Sequence, residues 1–334
     1  DNDFISNINN KIKNDIKVDT KIDIVTNTDT PNNKVKSDIK NNIKNDTNSS
    51  NNEKTTTTVK NENTNKDIIE DNNTYVTIHR SNGNIISLEL EEYLIGVVAS
   101  EMPASFNEEA LKAQAVVART YTLKRISENK IMTDTTSTQV YKDNNELKNI
   151  WKNDYDKYYN KIKNIVNSTK GISIKYNGKY IDAVYHSTSN GYTEDAIYVW
   201  GNDIPYLKST TSPWDKNVGS YEKSITLSYK EISNKLNINI DENTDINLKR
   251  NSSNRVTEVI IDNTIINGTT FRNKLNLRST DFNIIKNSDN LVITTYGYGH
   301  GVGMSQYGAN EMAKLGYNYK DILNHYYKGI TITL

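Results

Sequence analysis

Residues 91–127 read EEYLIGVVASEMPASFNEEALKAQAVVARTYTLKRIS, two helical stretches around a short break. In the first, Leu94, Val97 and Val98 recur at helical spacing until Pro103, which has no amide to donate, stops the helix. After the break Asn107 is an acceptable N-cap. Glu108 and Glu109 then sit at the positive end of the helix dipole, and Lys124 and Arg125 at the negative end. The pattern predicts a helix over 91–100 and a longer one from 108 to 125. Working outward, 75–80 and 85–90 flank Ser81-Asn82-Gly83-Asn84, while 172–176 and 180–185 flank Asn177-Gly178. Asn-Gly favours positive φ at both turn residues, so each reads as a β-hairpin. Further helices are expected at 146–168, ended by Gly171, and at 305–314 and 319–327. The least legible stretch, 220–290, reads as a short helix near 229–236, a strand at 256–262 and a helix after Thr270. The fold class is α+β: one large mixed domain, residues 74–334, with 220–290 as a candidate lobe.

Ahead of it, residues 1–73 contain no Gly, Tyr or Trp and a single Phe, while 19 of the 73 are Asn. Such a segment cannot bury enough apolar surface to offset its ordering entropy, and it reads as a disordered tether. All 22 Tyr and all 15 Gly lie beyond it, where a core can form. Lys+Arg 41 balances Asp+Glu 41, so binding driven by counterion release from nucleic acid is not expected. Zero Cys excludes disulfides, thiol catalysis and thiolate zinc sites. The four histidines share no ligand spacing, so no metal and no cofactor are expected. The chain begins at Asp1, and a leader or anchor is expected to have preceded it.

Three segments carry more polar and glycine punctuation than packing requires. Glu101 closes the first helix among Ala99, Met102, Pro103 and Phe106. A carboxyl flanked by apolar groups loses solvation of its charged form, as a general acid working near neutral pH requires; an exposed loop Glu would read the same way. On the long helix, Ala110, Gln114, Val117 and Tyr121 fall within about 60° of one another as a buried stripe. Lys112 and Arg119 fall within about 20° on the opposite face, roughly 10 Å apart, with the small Ala115 between them. They could hold a polar ligand or a carboxylate, or form an ordinary solvated face. The run 296–308, YGYGHGVGMSQYG, alternates glycines up to a helix N-terminus, where free amides accept polar oxygens. It matches neither a P-loop, nor G-x-G-x-x-G, nor the G-x-S-x-G elbow, so a serine hydrolase is disfavoured. A fourth polar patch, Tyr185-His186-Ser187-Thr188-Ser189-Asn190-Gly191, leaves a strand for a loop, as site residues often do.

Together these motifs resemble one family, the stage II sporulation protein D family, whose domain is shared with an amidase enhancer. The resemblance runs through residues 93–103, 109–121, 185–191, Tyr206-Leu207, 212–215 and 299–309, in order across the folded part. It implies a lytic transglycosylase acting on peptidoglycan glycan strands already stripped of stem peptides during engulfment of the forespore. It also implies an extracytoplasmic domain anchored in the mother-cell membrane, facing the intermembrane space, beside the stage II sporulation protein P amidase and a membrane scaffold. By resemblance Glu101 matches the catalytic glutamate, and Lys112 and Arg119 match basic helix positions. Some members carry a zinc site of one His and two Cys after the long helix. Met132 and Thr138 stand at the cysteine positions here, which implies a zinc-free branch.

The implied mechanism has Glu101 protonate the glycosidic oxygen between N-acetylmuramic acid and N-acetylglucosamine, then take the proton of the muramoyl C6 hydroxyl, giving a 1,6-anhydro end. Lys112 and Arg119 would orient sugar oxygens or the lactyl carboxylate; Tyr185, His186, Ser187, Tyr206, His300, Ser305 and Gln306 are candidate partners along the groove. Two alternatives stand beside it. One is a non-catalytic glycan-binding activator of a partner amidase. The other is an inverting hydrolase, which would need a second carboxylate such as Asp134, Asp203 or Asp215 roughly 6.5–9.5 Å from Glu101.

Overall fold

The computed structural model describes residues 74–334; the expected tether of 1–73 lies outside the described residues. Tyr75–His79 (β1) and Ile85–Glu89 (β2) pair antiparallel as the first hairpin. Of its central Asn-Gly pair only Gly83 takes positive φ, +90°, because Asn82 turns its side chain onto the Asn84 amide and the connection closes as a longer loop. Leu90–Glu101 (α1) follows directly, capped by the Glu89 carboxylate on the Glu92 amide. It ends as expected before Pro103, with Met102 already extended.

Glu108–Ser127 (α2) is the long helix, N-capped by Asn107, whose side chain accepts from the Glu109 amide at 3.0 Å. Met132–Thr133 (β3) then returns to lie parallel to β1. The helix expected over 146–168 is two helices, Asn144–Trp151 (α3) and Tyr155–Ser168 (α4). Lys152, at φ +48° in an intervening 3₁₀ turn, breaks the ladder, and Asp143 with Glu146 closes a capping box at the start of α3.

Ser173–Tyr176 (β4) and Lys179–Tyr180 (β5) form the second hairpin, with Asn177 at φ +48° and Gly178 at +77°, the two-residue turn that Asn-Gly favours. The strand expected to continue to 185 leaves the ladder. Tyr185–His186 (β6) instead pairs in parallel with Met304–Ser305 (β13), far along the chain. Between them come a short helix Ala196–Trp200 (α5) and a second apolar cluster. That cluster is built from Glu222–Ser228 (β7), Tyr229–Leu236 (α6), Ile246–Arg250 (β8), Val256–Ile261 (β9), Thr264–Asn267 (β10), Gly268–Leu275 (α7), Phe282–Lys286 (β11) and Asn290–Tyr296 (β12). Its sheets are β10-β9-β8 and β11-β12-β7, all antiparallel. Alternation along β12 buries Leu291, Ile293 and Thr295, the first two in one cluster with Phe271 and Phe282.

The chain closes with Gln306–Lys314 (α8), Tyr319–Tyr326 (α9) and Thr331–Thr333 (β14), the last paired with β4. The expected two-faced α2 is not what forms. Residues from Ala110 to Thr120 are buried all round except Lys112, because α1, α4, α8, α9 and β4 surround the helix. A helix enclosed on every side needs no polar stripe, and α2 is the axle of the larger core. Each fully buried Val, Leu or Ile on it contributes about 1.5–3 kcal/mol. Among the described residues no helix is long and apolar enough to cross a membrane.

Candidate active site

Glu101 is the last residue of α1, half-buried, and its carboxylate accepts the Val140 amide at 2.7 Å. Two features fix that geometry. Gln306, the first residue of α8, donates through Nε2 to the Glu101 carbonyl at 3.0 Å and to Gln114 Oε1 at 3.2 Å, pinning the end of α1 to α2 and α8. On the other side the 134–142 loop presses on α1 at Gly96, where a Cβ would come within 2.4 Å of the Tyr141 ring and 2.6 Å of the Lys142 carbonyl. Only glycine lets the loop close enough to deliver the Val140 amide.

Around Glu101 lies a shell of buried polar groups. The Tyr93 and Tyr185 hydroxyls and the Gln114 side-chain nitrogen are all enclosed, Tyr185 beside the Glu101 carboxylate and Tyr93 beside Gln139 and Thr122. Burial first, and then the Glu101 carboxylate, pushes the Tyr185 hydroxyl well above the ordinary tyrosine range, so it stays a neutral donor. Burial does the same to Tyr93. Beside the end of α1 a cleft of about 160 Å³ opens between the loop and α3, walled by Ala99, Ser100, Val140, Tyr141, Leu147 and Trp151. At about 30 Å³ per water it has room for several.

The residues singled out in the sequence divide into groups. Glu101, Tyr185 and Gln306 come together. Successive strand residues point to opposite faces, so His186 turns away from Tyr185 into a second cluster. There its Nδ1–H donates to the Val302 carbonyl at 3.1 Å, and its ring lies 5.9 Å from His300, which in turn lies 5.2 Å from Trp200. Burial, then His300 and Arg255, holds His186 well below the usual histidine range, so it is neutral. His300 Nδ1 accepts the Val302 amide, on a run in which Gly297, Gly299, Gly301 and Gly303 all take positive φ. Ser187 shares its hydroxyl with Thr188 at 3.2 Å, and its carbonyl accepts the Tyr307 amide.

Four expected ligand groups are committed elsewhere. Arg119 is fully enclosed: Nε and Nη2 grip Glu91 at 2.9 and 2.6 Å, Nη1 donates to the Ile172 carbonyl and Nη2 to that of Val166. It ties α1, α2, α4 and the residue before β4 together and offers no face to a ligand, contrary to the expectation of a basic pair on an open face. Lys112 pairs with Glu109 at 2.6 Å, whose other oxygen accepts the Tyr319 amide. Ser305 N-caps α8 and donates to the buried Asp215 at 2.5 Å. Tyr206 exchanges hydrogen bonds with Asp182.

The second-carboxylate candidates are committed too. Asp134 is bound by Arg80 and Ser81, Asp215 by Ser189, Ser212 and Ser305, and Asp203 pairs with Lys208. The zinc positions do not fit a metal: Met132 is packed in the core, and the Thr138 hydroxyl donates to the Thr133 carbonyl. Sequence reading missed Trp151, Tyr93 and the Val140 amide; Tyr93 lies in the opening motif, whereas a backbone amide leaves no trace in residue type.

Comparison with known proteins identifies the family. The sequence pattern of the family described as SpoIID, stage II sporulation protein, matches residues 79–176. The chain is 43% identical over 269 residues to stage II sporulation protein D of Bacillus amyloliquefaciens, covering 77% of this chain and 78% of that protein. It is 42% identical, at the same coverage, to the protein of that name from Bacillus subtilis (strain 168). An amidase enhancer of the same strain is 30% identical over 299 residues, 72% of this chain and 40% of its own length. The chain belongs to the stage II sporulation protein D family.

Proposed function

We propose that this sporulation protein is a peptidoglycan lytic transglycosylase with Glu101 as its acid and base. The observation that carries the reading is the setting of Glu101: one half-buried carboxylate, steadied by the Val140 amide, next to Ser100 and Val140 that line a cleft, while Asp134 is held by Arg80, Asp215 by serine hydroxyls and Asp203 by Lys208. Hydrolysis by inversion needs a second carboxylate to activate water; attack by the sugar's own C6 hydroxyl does not. Protonated Glu101 donates to the glycosidic oxygen between the muramoyl and glucosaminyl units as the C1–O bond breaks, releasing a 4-hydroxyl. The oxocarbenium-like muramoyl centre is captured by its C6 oxygen, whose proton returns to Glu101 and restores the acid. Product ends are 1,6-anhydro-muramoyl. The neutral Tyr185 hydroxyl is a donor beside the reacting carboxyl, and Trp151 offers an apolar face for a sugar ring in the cleft.

The resemblance extends this to peptide-stripped strands, the intermembrane space of the sporangium, a mother-cell membrane anchor, and partnership with the amidase and its membrane scaffold. A second reading, a glycan-binding activator that cleaves nothing, is favoured by the relative named amidase enhancer. Mass spectrometry of products from peptide-free glycan in H₂¹⁸O separates the readings. Anhydro ends without label support the transglycosylase, labelled reducing ends a hydrolase, and intact glycan sedimenting with the protein the activator.

A further inference from the structure

Arg80 follows β1, and its side chain is 7% exposed, held by three carboxylates at once. Nε meets Asp134 at 2.7 Å, Nη1 meets Asp143 at 3.3 Å and Nη2 meets Glu146 at 2.7 Å. Asp134 and Asp143 are the two ends of the loop that carries Val140, and Glu146 lies on α3 at the far wall of the cleft. The Ser81 amide adds a second hold on Asp134 at 2.9 Å. The guanidinium also lies 5.1 Å from the centre of the Tyr141 ring, which stacks on Tyr93 at 5.5 Å. One cation thus gathers both ends of the loop, its aromatic anchor and the helix beyond it. Without that cation, three carboxylates converging on one point repel one another, and the amides of Ser81, Asn145 and Glu146 that remain on Asp134 and Asp143 carry no full charge to offset theirs.

We propose that Arg80 is a positioning residue for Glu101, acting through the 134–143 loop. It holds the loop at the separation at which the Val140 amide reaches the Glu101 carboxylate. This rests on Glu101 being the reacting acid. The chain of contacts runs from Arg80 to Asp134 and Asp143, along the loop to Val140, and from its amide to Glu101 Oε1. The α1 side cannot compensate, because Gly96 already sets the loop at closest approach, so the loop can only move away. A planar fork with several donors suits this task, and a lysine ammonium cannot reach all three carboxylates in the same way.

The test is Arg80→Gln and Arg80→Lys in the full chain, with kcat and KM on peptide-free glycan and hydrogen exchange at the Val140 amide. Arg80→Gln is expected to lower kcat by about tenfold to a hundredfold, the effect of losing one hydrogen bond to a charged group, with KM within about twofold. Val140 exchange accelerates while α2 amides stay protected; Arg80→Lys recovers part of both. If Arg80→Gln does not fold, Asp143→Asn and Glu146→Gln remove single contacts at more exposed positions, and the same kcat loss with Val140 deprotection is expected at smaller size. A folded Arg80→Gln with unchanged kcat, or with an unchanged Val140 amide, overturns the proposal. Glu101→Gln measured alongside keeps the two ideas apart: full activity there removes the catalytic reading and this proposal with it, whereas an inactive Glu101→Gln beside a normal Arg80→Gln removes this proposal alone.

Discussion

Replacing Arg119 decides between a ligand-binding basic residue and a buried tie. In the structure its guanidinium is 0% exposed, bonded bidentately to Glu91 and to the carbonyls of Ile172 and Val166. Arg119→Met keeps much of the volume but leaves the Glu91 carboxylate enclosed without its cation. Removing one partner of a buried ion pair costs about 3–5 kcal/mol. For a domain of this size that lowers Tm by roughly 10 °C. The double variant Glu91→Leu/Arg119→Met discards both charges and should recover much of the loss, because a well-packed apolar pair often equals a buried ion pair. Denaturant melts of wild type, the two singles and the double form a cycle whose coupling is expected to exceed about 2 kcal/mol. Glycan affinity, measured by sedimentation below the melting range, should be unchanged in any folded single variant. If Arg119→Met keeps wild-type stability and loses glycan binding, the tie is refuted and the residue is a ligand group.

Gly96→Ala drives a methyl into the Tyr141 ring and the Lys142 carbonyl, and is expected to cost about 1–3 kcal/mol and to weaken catalysis, read by melting and by product release. His186 titrates below its usual range in the folded state, so the unfolded chain takes up more protons below pH about 6.5. Stability is therefore present above that pH and lost as pH falls beneath it, and His186→Asn should flatten the fall in Tm between pH 7.5 and 5. Asp215 runs the other way: burial raises its pKa above the ordinary 3.8, the folded state holds the proton more tightly, and stability falls as pH rises from there to the raised value. Asp215→Asn should remove that slope while loosening the serine cluster, seen as faster exchange at the Ser189 amide, which donates to Asp215 at 3.0 Å.

What could be read in the sequence was what local chemistry decides. Asn107, Pro103 and the acid-to-base order along 108–125 delimit α1 and α2 because capping and proline act within a turn or two. Asn177-Gly178 fixes a hairpin for the same reason. The parallel pairing of Tyr185–His186 with Met304–Ser305 joins segments from distant parts of the chain, and no local pattern announces it. The strands INLKR and TIIN bury no residue fully, the first alternating only between half-buried and exposed positions and the second mostly exposed, so neither carries the apolar run that marks a strand. The site divided likewise. Glu101 could be singled out from its apolar neighbours, but the enclosure of Arg119 depends on Glu91 meeting it from another helix, and helical spacing alone made it look exposed. The Val140 amide that steadies Glu101 has no signature in side-chain type at all.

The central claim, that Glu101 carries the chemistry, is tested most directly by Glu101→Gln, which keeps the shape of the side chain and removes its acid. Wild type and variant are incubated with peptide-free glycan strands; soluble products are analysed by mass spectrometry and bound glycan by sedimentation. The account predicts 1,6-anhydro-muramoyl ends from wild type alone, with glycan bound by both. Anhydro ends from the variant at the wild-type rate would contradict it.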